Sequence, residues 1–211
     1  SALQNNIFSP DQQIDYHIFG DAEGFCNIHN QLKEIGDNVI FQYKYWHEQL
    51  DFINTTDMVI VLQQENQAQL VRDLTLSSPH SNIFVFASSA YSADFTENTD
   101  RVTVFDWKKV ASSLENIADS ALFRKAKQLN MRYASIYNGT EETAENAEKE
   151  WQKLDTFTRY SNISAADFND VQRSILACEN QGLTVDTMSA KWFETMSELE
   201  HIRWCRYHYL N

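Results

Sequence analysis

Residues 58–62 read MVIVL and residues 83–87 read IFVFA, apolar at every position. A strand wet on one face alternates polar and apolar residues, so continuous runs predict strands covered on both faces, as in a parallel sheet. Working outward, Ile14 to Phe19 reads as an earlier strand broken by Gly20, and residues 38–43 (NVIFQY) as the next. Val102 to Phe105 makes a fifth strand. Helical stripes lie between them: Phe25, Ile28, Leu32 and Ile35 with Gly36 as a C-terminal cap, then Trp46, Leu50 and Ile53, then Ala68, Val71 and Leu74. This cadence predicts an α/β domain built on a doubly wound parallel sheet of order 3-2-1-4-5. A ligand crevice is then expected at the carboxyl ends of strands one and four.

The chain has 211 residues, 43% apolar and 13% aromatic, enough to fill a core and too apolar for a disordered segment. Seventeen Lys and Arg face 30 Asp and Glu, a net charge of −13, which repels phosphate backbones and argues against a nucleic-acid partner. No apolar run approaches the ~18 residues of a membrane span, and the start SALQNNIFSPDQQ does not read as a signal peptide. Cys26, Cys178 and Cys205 are odd in number and far apart, which fits a reducing cytoplasm better than a disulfide framework.

From Lys108 the pattern turns all-helical. Val110, Leu114, Ile117 and Ala121 share a face, residues 138–140 (NGT) make a turn, and Ala144, Ala147, Trp151 and Leu154 mark another helix. Ser164 is placed to cap a helix through Phe168, Val171, Ile175 and Cys178, and a last helix starts near Ala190. The expected organisation is a Rossmann-like domain over residues 1–110, a helical connector over 111–150 and a helical module over 151–211.

The turn after the first strand, residues 19–25 (FGDAEGF), is the natural place for a phosphate, because a helix N-terminus attracts anions. Gly20 and Gly24 stand four apart, and Asp21 and Glu23 oppose a pyrophosphate. Gln42 and Tyr43 stand where a ribose-reading acid is expected. The arrangement over roughly residues 14–110 resembles the TrkA-type (RCK) domain that regulates potassium channels and transporters, through residues 54–66 (NTTDMVIVLQQEN) and 101–104 (RVTV). That resemblance implies NAD or another adenine nucleotide as cofactor, with Gly20, Asp21, Gly24 and Gln42 as the positions facing it.

In the last helix, Glu198, His201 and Trp204 recur every three residues. Before it come Trp151, Arg159, Ser161-Asn162 and residues 165–167 (AAD). The two pieces, over about residues 151–211, resemble the opening of the Ry module, the ryanodine-receptor repeat also found in prokaryotic proteins. That module's later segments lie beyond Asn211, so the resemblance implies an incomplete module. It also implies a ligand site on Arg159, Asn162, Glu198, His201 and Trp204. From the residues themselves, Glu198 is expected to bond His201, Trp204 to pack inward and Arg203 to pair with Glu200.

Other constellations are weaker. His201, Cys205 and His208 share a helix face but lack a Cys-x-x-Cys partner, so no metal is expected. Asp94 and Glu97 form a carboxylate pair of the kind hydrolases use, on a chain rich in solvated acids. The expectation is a cytoplasmic, non-catalytic sensor that binds a nucleotide-derived small molecule and pairs as a homodimer. No membrane insertion of this chain is expected, while a fused membrane domain stays open. Two alternatives stay open: an NAD(P)-dependent oxidoreductase or nucleotide hydrolase, and a ligand-free dimerisation scaffold.

Overall fold

The computed structural model describes residues 2–29, 37–87, 100–106 and 120–211. The stripe through Leu32, Ile35 and Gly36, the Asp94–Glu97 pair and the face of Val110, Leu114 and Ile117 lie outside the described residues. The chain groups into two compact units, Ser1–Phe41 with Ser120–Asn211, and Gln42–Asp119.

The elements in chain order are α1 (Ala2–Asn5), β1 (Asp15–Phe19), α2 (Glu23–Ile28), β2 (Asn38–Gln42), a 3-10 turn at Trp46–Glu48, α3 (Leu50–Ile53), β3 (Met58–Val61), α4 (Gln67–Ser77), β4 (Asn82–Ala87) and β5 (Val102–Asp106). Four helices follow: α5 (Ala121–Asn138), α6 (Ala144–Gln152), α7 (Thr156–Cys178) and α8 (Ala190–Leu210). The fold is mixed α/β with parallel strands, and the expected strands all form.

Their order is not the expected 3-2-1-4-5. β1 pairs with β2 in one two-stranded sheet, and β3, β4 and β5 pair in that order in a second. Val61 lies opposite Val85, and Val85 opposite Val104, all in parallel register. Both edges of β4 are therefore occupied, so β1 does not pair with it as the expected order requires. Among the described residues, these three parallel strands follow one another in one direction, without the reversal of order at which ligands of open α/β sheets usually sit.

The expectation of strands covered on both faces holds for one face only. Val61, Ile83, Val85 and Ala87 are buried, and α4 packs on β4 with Val71 and Leu74 turned inward. On the other face Met58, Ile60, Phe86 and Phe105 are exposed, with Phe105 stacked on Phe84 and Phe86. Side-chain alternation makes this visible only once one face has a partner.

In the larger unit, α5 packs on α6 and α7, and α7 on α8. Each of the four helices is capped: Ser120 accepts from the Phe123 N–H, Thr143 from Asn146, Asp155 from Thr158 and Ser189 from Trp192. Asp155, not Ser164, opens α7. Ser164 lies a further two turns inside that helix and is buried. Ala126 and Ala166 are fully buried beside Trp151, small enough to let α5 and α7 approach closely. Ile7, Phe168, Leu176, Met196 and Leu199 form a second cluster, and the end of α8 (Tyr209, Leu210) packs with Cys26 and Val39 against β1 and β2.

Candidate functional site

The buried face of α8 runs Met196, Leu199, Arg203, Arg206 and Tyr207. Two arginines in such positions demand partners, because an unpaired charge out of water costs several kcal/mol. Arg203, 2% exposed, donates through Nε and Nη2 to both oxygens of Glu200 (2.9 and 2.7 Å) and through Nη1 to Ser164 Oγ (3.2 Å). The expected Glu200–Arg203 pair is thus present, and it explains Ser164 as an acceptor inside the bundle. Arg206, 1% exposed, lies 2.9 Å from Asp37 Oδ2 and donates to the Asn6 carbonyl at 3.3 Å.

Asp37 is fully buried just before β2, where its Oδ1 accepts the Ile14 N–H at 3.1 Å. The Asp37 carboxyl therefore ties the starts of both strands to the last helix. Burial pushes its pKa up, and the Arg206 guanidinium and the Ile14 N–H offset only part of that. Burial also pushes the neighbouring Tyr16 hydroxyl up, with the Asp37 carboxylate adding to the effect and Arg206 opposing it. Arg206 and Asp37 were missed in the sequence, although Arg206 falls ten residues after Met196 and seven after Leu199, on their stripe.

With that face inward, Glu198, His201, Trp204 and His208 face solvent. The expectation that Trp204 packs inward is corrected: it is 48% exposed, because a helix that buries 199, 203 and 206 turns 198, 201 and 204 out. His201 lies parallel to the Trp204 indole, with centroids 6.1 Å apart and planes within 14°. His208 approaches the indole at 4.1 Å, and Phe157 at the start of α7 meets His208 at 5.1 Å. Four rings thus stand in a row with the indole partly open. The His201 Nε2 lies 3.7 Å from Cys205 Sγ.

The other expected ligand residues are placed structurally. Arg159 donates to the Trp151 and Gln152 carbonyls (3.2 and 3.1 Å), closing the C-terminal end of α6. Asn162 is buried and donates to the Thr158 carbonyl one turn back, at 3.0 Å.

Gly20 ends β1 with φ +99°, a conformation that favours glycine, and it is exposed, as are Asp21 and Gly24. The helix that follows has six residues and opens on Glu23. Gln42 accepts from Gln49 Nε2 at 3.0 Å. No family model, curated protein or solved structure matches the chain.

In the unit of residues 42–119, Trp46, His47, Leu50, Asp73, Leu76 and Ser77 line an open groove of about 340 Å³. The Asp73 carboxylate there already accepts from Gln69 at 2.7 Å. Among the described residues no helix is long and apolar enough to cross a membrane, and no three His, Cys, Asp or Glu side chains gather as a metal-holding group.

Proposed function

We propose that this chain is a non-catalytic regulatory protein that binds a nucleotide-derived small molecule by stacking its base on Trp204. The observation that carries the reading is the half-exposed indole, flanked by His201 and His208 on a helix whose other face is locked by two buried arginines. Flat rings stack on such platforms for about 1–3 kcal/mol each, and every nucleobase has a π-face to offer. A net charge of −13 disfavours strong phosphate contacts, so the base supplies the affinity. The acidic, six-residue α2 beside Gly20 is a poor seat for a pyrophosphate, which moves the reading away from a dinucleotide bound in the sheet.

The route to an output is α8 itself. Its outward face holds the rings, and its inward face holds Arg206 against Asp37 at the strand starts. A ligand that shifts or stiffens α8 therefore bears on β1 and β2, and through them on a partner domain or second subunit.

A thermal-shift panel of NAD, NADH, ATP, ADP-ribose, cyclic ADP-ribose and cyclic nucleotides tests this. A ligand at 100 times its dissociation constant adds roughly 2.7 kcal/mol, or about 5–10 °C for a chain this size. At least one member of the panel is expected to give such a shift. A flat panel overturns the reading in favour of a dimerisation scaffold, for which the exposed face of Met58, Ile60, Phe86 and Phe105 is the specific support.

A further inference from the structure

The contact between His201 Nε2 and Cys205 Sγ, 3.7 Å, joins residues one helical turn apart on the solvent side of α8. A tetrahedral zinc, with bonds of about 2.3 Å to sulfur and 2.0–2.1 Å to nitrogen, holds the two atoms about 3.5 Å apart. The two side chains already stand at nearly that separation. Spacing of i and i+4 is the one that places two ligands on the same helix face. The Trp204 ring lies nearly parallel to the His201 imidazole, with centroids 6.1 Å apart. Cys205 is partly accessible and free of any disulfide.

We propose that His201 and Cys205 form a two-ligand site for a soft divalent metal ion of the zinc and cadmium class. Thiolate and imidazole are the donors such ions select over the carboxylates that crowd this acidic surface. On binding, the Cys205 thiol loses its proton to solvent and the thiolate donates to the metal, while Nε2 donates its lone pair in the Nδ1–H tautomer. Two coordination positions then remain, for water or for a donor atom of another molecule. His208 is turned against Trp204 and Phe157 instead of joining the pair. The site shares His201 with the stacking platform but does not rest on that reading, because the metal lies in the imidazole plane and the base on the indole face.

The test is a titration of the intact chain with Cd²⁺, followed through the sulfur-to-cadmium charge-transfer band in the ultraviolet. It is run in a Cys178→Ser background, since Cys178 is the other exposed thiol. The band is expected to saturate at one metal per site. Cys205→Ser should abolish it, and His201→Gln should weaken binding by at least the roughly tenfold that loss of a mere outer-sphere partner costs. A band that His201→Gln leaves unchanged, or no saturable band, overturns the proposal. Both substitutions sit on the exposed face, and circular dichroism checks that α8 is kept. Trp204→Leu should retain Cd²⁺ binding while binding the nucleotide more weakly, so failure of one reading is separable from failure of the other.

Discussion

Arg206→Met removes the cation that faces Asp37 while keeping most of the volume of the arginine stem. Asp37 is fully buried and Arg206 is 1% exposed, so no water can take the guanidinium's place without opening the packing of α8 on β1 and β2. The carboxylate would keep the Ile14 N–H at 3.1 Å but lose the partner at 2.9 Å. Breaking one side of a buried ion pair costs about 3–5 kcal/mol, because the other charge is left uncompensated. Adding Asp37→Asn removes that orphaned charge and keeps an acceptor for Ile14, so the double variant should return to within about 1–2 kcal/mol of the parent. Urea unfolding followed by far-ultraviolet circular dichroism reads this, since the three longest helices, α5, α7 and α8, belong to the same unit as the pair. An Arg206→Met cost below about 1 kcal/mol, or no recovery on adding Asp37→Asn, would show that the pair is not the tie described.

Three further outcomes are expected. Gly139 ends α5 at φ +68°, so Gly139→Ala should cost about 1–2 kcal/mol in the same urea assay without affecting ligand binding. A Cβ on Gly182 would run into the side chain and carbonyl oxygen of Thr187, so Gly182→Ala should lower the midpoint of thermal unfolding by displacing the turn before α8. Asp37 and the exposed carboxylates should give opposite pH slopes. The folded state holds the Asp37 proton more tightly than the unfolded one, so its contribution favours folding at low pH and is lost as pH rises through the raised value. Glu142, Glu148 and Asp155 are held low, chiefly by hydrogen bonds from Arg132, Lys127 and the Thr158 N–H. Their contribution is present above the ordinary carboxylate range and lost as pH falls through the lowered values, and Glu148→Gln should flatten that acid limb in a stability–pH series.

Much of the fold was legible because local chemistry decides it. Runs such as 58–62 and 83–87 commit to strands, whereas the helix caps were not read: the pattern points to Ser164 as a cap, and Asp155 is the residue that opens its helix. Strand order was not legible, since pairing is settled by which edges are free and β3 and β5 both claim β4. The inward face of α8 was misread for a related reason. Arg203 and Arg206 occupy core positions, where periodicity arguments expect apolar residues, and Trp204 was assigned to the core in their place. The partners that make those arginines tolerable, Ser164 and Asp37, are 39 and 169 residues away in sequence, a coupling no local pattern records. Arg159 and Asn162 each donate to nearby backbone carbonyls, contacts that the sequence pattern did not announce.

Whether Trp204 is a ligand platform can be read by isothermal titration of the parent chain and of Trp204→Leu with the nucleotide that gives the largest thermal shift. Trp204 is half-exposed, so the leucine variant should unfold within about 0.5 kcal/mol of the parent. It should also bind at least about fivefold more weakly, as loss of 1–3 kcal/mol of stacking requires. Equal affinities in a variant of unchanged stability would mean that the base does not lie on this helix.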